Sequence, residues 1–142
     1  MSYVNKISTK FLYTFSEAGV LITGSSSYPW DTAELYLPSS GVSCSLPQLP
    51  GARADHTMES SGLLCGGEVT DDSCLQWSQD TGTWEELLTL DVGRARHVSW
   101  TPVSDIGTYL MGGNLPEVSK TTTLIKPDGT QEPGFPLQYN TE

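Results

Sequence analysis

The sequence predicts an all-β chain assembled from about three copies of one four-stranded antiparallel unit. Three observations predict it. First, a short apolar segment ending in glycine recurs as Val20-Leu21-Ile22-Thr23-Gly24, Leu63-Leu64-Cys65-Gly66-Gly67 and Tyr109-Leu110-Met111-Gly112-Gly113, with final glycines 43 and 46 residues apart (24, 67, 113). Second, an Arg-x-x-His pair precedes the second and third copies, Arg53/His56 and Arg94/His97, offset by 41 residues (53 to 94). Third, each copy is followed by a strand and a glycine turn: Leu35-Tyr36-Leu37-Pro38 to Gly41, Leu75-Gln76-Trp77 to Gly82, and Leu124-Ile125-Lys126-Pro127 to Gly129. A recurrence of this length denotes stacked supersecondary units. No heptad or sustained helical period competes with the strand reading.

The elements follow from the turn signals. In the first unit, about residues 19–50, strands are expected over Gly19–Thr23, Ala33–Leu37 and Val42–Leu46, with residues 1–18 an irregular segment or a partial first strand. The second unit, about 53–90, holds a strand from His56 to the Ser60-Ser61-Gly62 turn, then Leu63–Gly66, Ser73–Ser78 and Thr83–Leu88. Its third strand alternates Cys74, Gln76 and Ser78 on one face with Leu75 and Trp77 on the other. The third unit, about 94–137, repeats this over His97–Val103, Gly107–Gly112, Thr121–Lys126 and a proline-interrupted strand near Gln131–Leu137. Short connections make each unit a meander. Loops joining strands 2–3 and strands 4–1 then share one end of the molecule, and the remaining turns share the other.

These units resemble kelch repeats, the blades of a β-propeller. The resemblance spans about residues 19–142 and rests on Gly66-Gly67 and Gly112-Gly113, on the upstream Arg-x-x-His, and on Trp77 and Trp84 flanking a glycine turn. The middle unit carries the whole pattern. In the first, Ser25 replaces the second glycine and Cys44 is expected in the slot of Trp84; the third has no tryptophan there. The resemblance implies a partial propeller of about three blades, whose ring this chain does not close, since closure takes roughly four to eight. It also implies structural roles for Gly24, Arg53, His56, Gly66, Gly67, Trp77, Trp84, Arg94, His97, Gly112 and Gly113. Ser78-Gln79-Asp80-Thr81-Gly82-Thr83-Trp84 is also similar to the Asp-box turn of sialidase propellers, one residue short, and that turn too is structural.

A net charge of −10 and an isoelectric point near 4.4 exclude a nucleic-acid or anionic-membrane partner, both of which need a basic surface. No window holds the roughly 20 apolar residues of a membrane-spanning helix. Glu17 interrupts the apolar run after Lys6 and Lys10, so no signal peptide is read, and Asn5, Asn114 and Asn140 lack the glycosylation pattern.

Chemistry-bearing residues are few. The double glycines end strands instead of opening a helix, which argues for close backbone approach and against a phosphate cradle. His56 and His97 occupy equivalent places one unit apart, an arrangement that suits hydrogen bonds between units better than metal ligation or a catalytic triad. Arg53 and Arg94 are expected to bind neighbouring carbonyls or a carboxylate. Oxidase chemistry of the kind some kelch propellers carry needs two histidines and two tyrosines converging, so no enzyme, metal or other cofactor is expected. Cys65 and Cys74 face each other across adjacent strands in the expected register and are a candidate disulfide, leaving Cys44 over. Oxidised, that pair points to a secreted protein; reduced, to the cytoplasm.

The surface with most information is the end that gathers the 2–3 and 4–1 loops: Tyr28, Trp30 and Asp31, then Glu68, Asp71 and Asp72, then Asn114 and Glu117. Exposed Tyr and Trp beside acids suit protein recognition. The expected function is therefore a non-enzymatic protein-interaction scaffold, with self-association through the open blade edges. A non-catalytic part of a longer propeller enzyme and a truncated gene product without independent function are the alternatives.

Overall fold

A computed structural model describes residues 10–14, 18–24, 27–59, 61–69, 72–104, 106–114 and 120–138. The described residues are all-β, with twelve strands and no helix. Sheet one runs β1 (Lys10–Thr14), β2 (Ala18–Thr23), β3 (Ala33–Leu37) and β4 (Val42–Ser45). Sheet two runs β5 (Thr57–Met58), β6 (Leu63–Cys65), β7 (Ser73–Ser78) and β8 (Thr83–Thr89). Sheet three runs β9 (Val98–Trp100), β10 (Thr108–Met111), β11 (Thr122–Ile125) and β12 (Gln131–Pro133). Each is an antiparallel meander in chain order, and none closes on itself.

The three sheets share one register. The amide of Gly24 donates to Thr32 O at 2.8 Å, that of Gly66 to Ser73 O at 3.0 Å, and that of Gly112 to Thr121 O at 3.0 Å. Geometry thus aligns Gly24 with Gly66 and Gly112, so the first interval is 42 residues (24 to 66), one less than counting from the last glycine of each run. The missing second glycine of sheet one explains the difference. A second correction concerns Cys44. Trp84 stands opposite Trp77, and the residue opposite the equivalent Tyr36 is Ser43; Cys44 pairs with Leu35 instead. The first unit also has its own first strand, because β1 pairs along β2 from Lys10↔Ile22 to Thr14↔Ala18.

Alternation along β6 and β7 makes sheet two apolar on both faces, as the middle layer of a stack must be. Met58, Leu64, Leu75 and Trp77 turn towards sheet one and bury Leu21, Ala33 and Leu49 with Trp84. Leu63, Cys65 and Cys74 turn the other way, onto Leu90, Leu110 and Ile125. Trp77 and Trp84 lie 5.1 Å apart between ring centroids, and the Trp84 Nε1–H donates to Pro47 O at 3.0 Å. That bond satisfies the one polar atom of a buried indole while binding β8 to the end of sheet one. Leu64 is fully buried, so truncating it to alanine costs about 2–5 kcal/mol.

Cys65 and Cys74 stand directly opposite on β6 and β7, with Cα atoms 4.1 Å apart, and form a disulfide. Cys44 is a free, exposed thiol.

Candidate functional site

Each Arg-x-x-His segment enters its sheet just before the first strand and does two jobs. Arginine braces its own sheet. Arg53 Nη1 donates to Gly66 O at 2.9 Å and Ser73 O at 3.0 Å, and its Nη2 reaches the Ser73 hydroxyl. Arg94 repeats this on sheet three, donating to Gly112 O at 2.9 Å, Thr121 O at 3.2 Å and the Thr121 and Thr123 hydroxyls at 2.9 Å each. These bonds tie the second strand to the third where the loop between them begins. Both arginines are buried, and burial draws Arg53 down to about 10, against the pull of Asp72 and Glu86, so it stays charged at neutral pH.

Histidine fastens its sheet to the one before. His56 Nε2 pairs with Thr23 Oγ1 at 2.8 Å, and His97 Nε2 pairs with Thr57 Oγ1 at 2.8 Å. The two threonines are not equivalent. Thr23 aligns with Cys65, which has no hydroxyl, so Thr57, opposite Cys65 on β5, serves sheet three instead. Burial, together with the charge of Arg53 and the neighbouring His97, pushes His56 down to about 4, only partly countered by Asp55. His97 is also lowered to about 4, by burial and then by Arg94. Both rings are therefore neutral at pH 7.

The glycines make room for these segments. A Cβ on Gly24 would come within 2.5 Å of Arg53 O and 2.6 Å of the His56 ring. One on Gly66 would collide with Arg94 O and sit 2.8 Å from the His97 ring. With φ of +65° and +64°, the two positions are closed to other residues on conformation and on space.

Between Arg and His, the residues Asp55 and Arg96 hold the left-handed conformation, φ 53° and 55°, and turn outwards at equivalent places. Arg96 Nε meets Asp55 Oδ2 at 2.9 Å and its Nη2 meets Glu68 Oε1 at 2.8 Å. This surface link between sheets two and three was not anticipated, and the only sequence signal for it is the opposite charge at two equivalent positions.

The expected recognition residues come from the same end of the molecule. Tyr28 is 89% exposed and Trp30 36%, and the carbonyls of Trp30 and Asp31 anchor Arg53 N at 2.9 Å and Leu49 N at 2.8 Å. Glu68 N bonds to Ala54 O, and Asn114 N bonds to the equivalent Ala95 O at 3.1 Å. Asp72 is exposed, while its carbonyl receives Leu90 N. Asp71 and Glu117 lie outside the described residues. At the opposite end a cleft of about 440 Å³ opens between sheets two and three, lined by residues that include Leu63, Gln76, Leu87, Thr101, Ile125 and Lys126.

Among the described residues no group of three or more His, Cys, Asp or Glu side chains is placed to hold a metal ion. The Thr–His pairs join a hydroxyl to an imidazole, as a nucleophile and base would be joined. Thr57 is only 9% exposed and His97 6%, so no substrate reaches that pair in this conformation. No family model matches the chain, and no curated protein matches it.

Proposed function

We propose that the chain is a segment of a kelch-type β-propeller and works as a non-enzymatic protein-interaction scaffold through its 2–3 and 4–1 loops. The repeated Arg and His bonding supports the propeller reading, as does the close approach of first strands, β5 against β9, expected where sheets radiate from an axis. One observation carries the functional reading. Tyr28 and Trp30 project from a loop whose backbone is anchored to the segment leading into sheet two, so the aromatic groups are presented on a stiff frame. Preordered aromatics lose little entropy on binding. At the same end of the molecule Asp31, Asp55, Glu68 and Asp72 outnumber Arg96 and Lys120, which favours a partner with a basic surface.

The test places a photo-cross-linking residue at Trp30, or at Thr101 on the opposite end, in the full chain expressed in its native cells. The expected result is a discrete protein adduct from position 30, lost in a Tyr28→Ala variant. Adducts from position 101 alone would overturn the loop-face reading.

A further inference from the structure

Among the described residues sheet three is the last of the stack, but the pattern of its surface continues. Leu21 and Leu63 are equivalent residues, 2% and 7% exposed, and each faces the sheet that follows. The third member of this series is Tyr109. It is half-buried, with Trp100 stacked on one side at 5.9 Å and Phe135 on the other at 5.4 Å. Trp100 is 51% exposed, Phe135 48% and Val98 60%, a contiguous apolar patch on the outer face of sheet three. The glycine step beside it is also repeated. Gly112 and Gly113 have φ of +67° and +138°, as Gly66 and Gly67 have +64° and +112° where Arg94 and His97 of the next sheet are received.

The complementary series behaves the same way. Leu64 and Leu110 are equivalent, 0% and 1% exposed, and each faces the preceding sheet. Their counterpart in sheet one is Ile22, which lies on the outer face with Val20 and the 37%-exposed Tyr36. Each end of one chain thus presents the apolar half of an interface formed twice inside it, although no Arg-x-x-His pair precedes sheet one.

We propose that the outer face of sheet three docks onto the outer face of sheet one in a second copy of this chain, and that two copies close head to tail. The contact continues the two interfaces within the chain, with Tyr109 in the place of Leu21 and Leu63 and Ile22 in the place of Leu64 and Leu110. Two copies bring six sheets, inside the roughly four to eight that close a radial array. Closure rests on the propeller reading of the preceding section; the contact rests only on the register. Because the join is heterologous, a rotation that failed to close would give growing oligomers. The charge of −10 on each copy opposes association, so added salt strengthens it.

The test is sedimentation velocity of the full chain from about 1 to 100 µM. The expected species is a dimer that does not grow further. Tyr109→Glu or Ile22→Glu alone gives monomer, and an equimolar mixture of the two regains association, since one sound pair of faces remains. Trp100→Glu, at an exposed position, repeats the Tyr109 result without a buried change, and circular dichroism confirms that each variant is folded. Wild type that stays monomeric at the highest concentration overturns the contact. Ile22→Glu that associates like wild type points to a sheet-three-to-sheet-three dimer and overturns the head-to-tail join. A ladder of species sensitive to both substitutions overturns closure, leaving the loop-face reading to its own cross-linking test.

Discussion

His56 and His97 titrate in the unfolded chain near the ordinary 6.5 but near 4 when folded. Between those values the unfolded chain binds more protons, so stability is full above about pH 6.5 and falls as the pH drops towards 4. Each ring contributes on the order of 3 kcal/mol to that loss, from a depression of about two and a half units. Urea unfolding at a series of pH values should show a steep decline across this window, with up to two protons taken up. His97→Phe should remove about one of them. A flat profile between pH 7 and 4.5 would show that the imidazoles are not held neutral inside the sheet interfaces.

Glycine at position 66 answers to contact and conformation together, whereas Gly82 answers to conformation alone. Both have positive φ, +64° and +66°, but nothing lies within 4 Å of a Cβ built on Gly82. Gly82→Ala should therefore cost about 1 kcal/mol, the left-handed penalty. Gly66→Ala must in addition displace the Arg94 carbonyl and the His97 ring, and its cost should exceed the Gly82 value by at least about 1–2 kcal/mol. Equal shifts in urea midpoint would show that the close approach of the Arg-x-x-His segment is incidental.

At the level of the strand pair, the disulfide is placed by register and not by sequence proximity. Cys65 and Cys74 are nine residues apart, and the tight β6–β7 connection sets them face to face. The side chains lie in the interface between sheets two and three. Closing so short a loop stabilises by about 2–3 kcal/mol in the chain-entropy account. Peptide mapping of protein purified without reductant should find one linked peptide, 65 to 74, while Cys44 reacts with an alkylating agent in the native state. Three free thiols, or Cys44 joined to either of the others, would contradict this register. Outer strands add their own ties: the Gln131 amide donates to Thr89 O at 2.7 Å and its carbonyl accepts Asp91 N at 3.1 Å, so β12 holds the end of β8.

At the scale of the whole molecule, the described apolar residues are divided between two interfaces that are filled and two faces that no other described residue covers. A sheet this small cannot hide both of its sides, so each unit depends on its neighbours. Sheet two, covered on both faces, carries the complete motif, the disulfide and the fully buried Met58, Leu64, Leu75, Cys65 and Cys74. Among the described residues, sheets one and three are covered once each. Self-association through their free faces would give them the same surroundings as sheet two, and sedimentation of the variants above decides whether it occurs. The same packing braces the strand ends at the loop side, because Arg53 and Arg94 fasten the ends of the second and third strands beside Glu68 and Asn114.

Strand positions, turns, the antiparallel order and the facing cysteines were legible in the sequence. They follow from two-residue alternation and from glycine and proline within about ten residues of one another, and such local rules act before any sheet meets another. The place of Arg53, His56, Arg94 and His97 was legible as a recurrence. Their partners were not. Thr23 lies 33 residues from His56 and Thr57 lies 40 from His97, and the choice of Thr57 over the position aligned with Thr23 arises because Cys65 offers no hydroxyl there. The Arg96 link to Asp55 and Glu68, the alignment of Gly24 with Gly66, and the displacement of Cys44 by Ser43 opposite Tyr36 were likewise decided only when sheets packed. Alternation assigns a side chain to a face, but which face meets which neighbour, and with what offset, is set by the fit of one buried surface against the next.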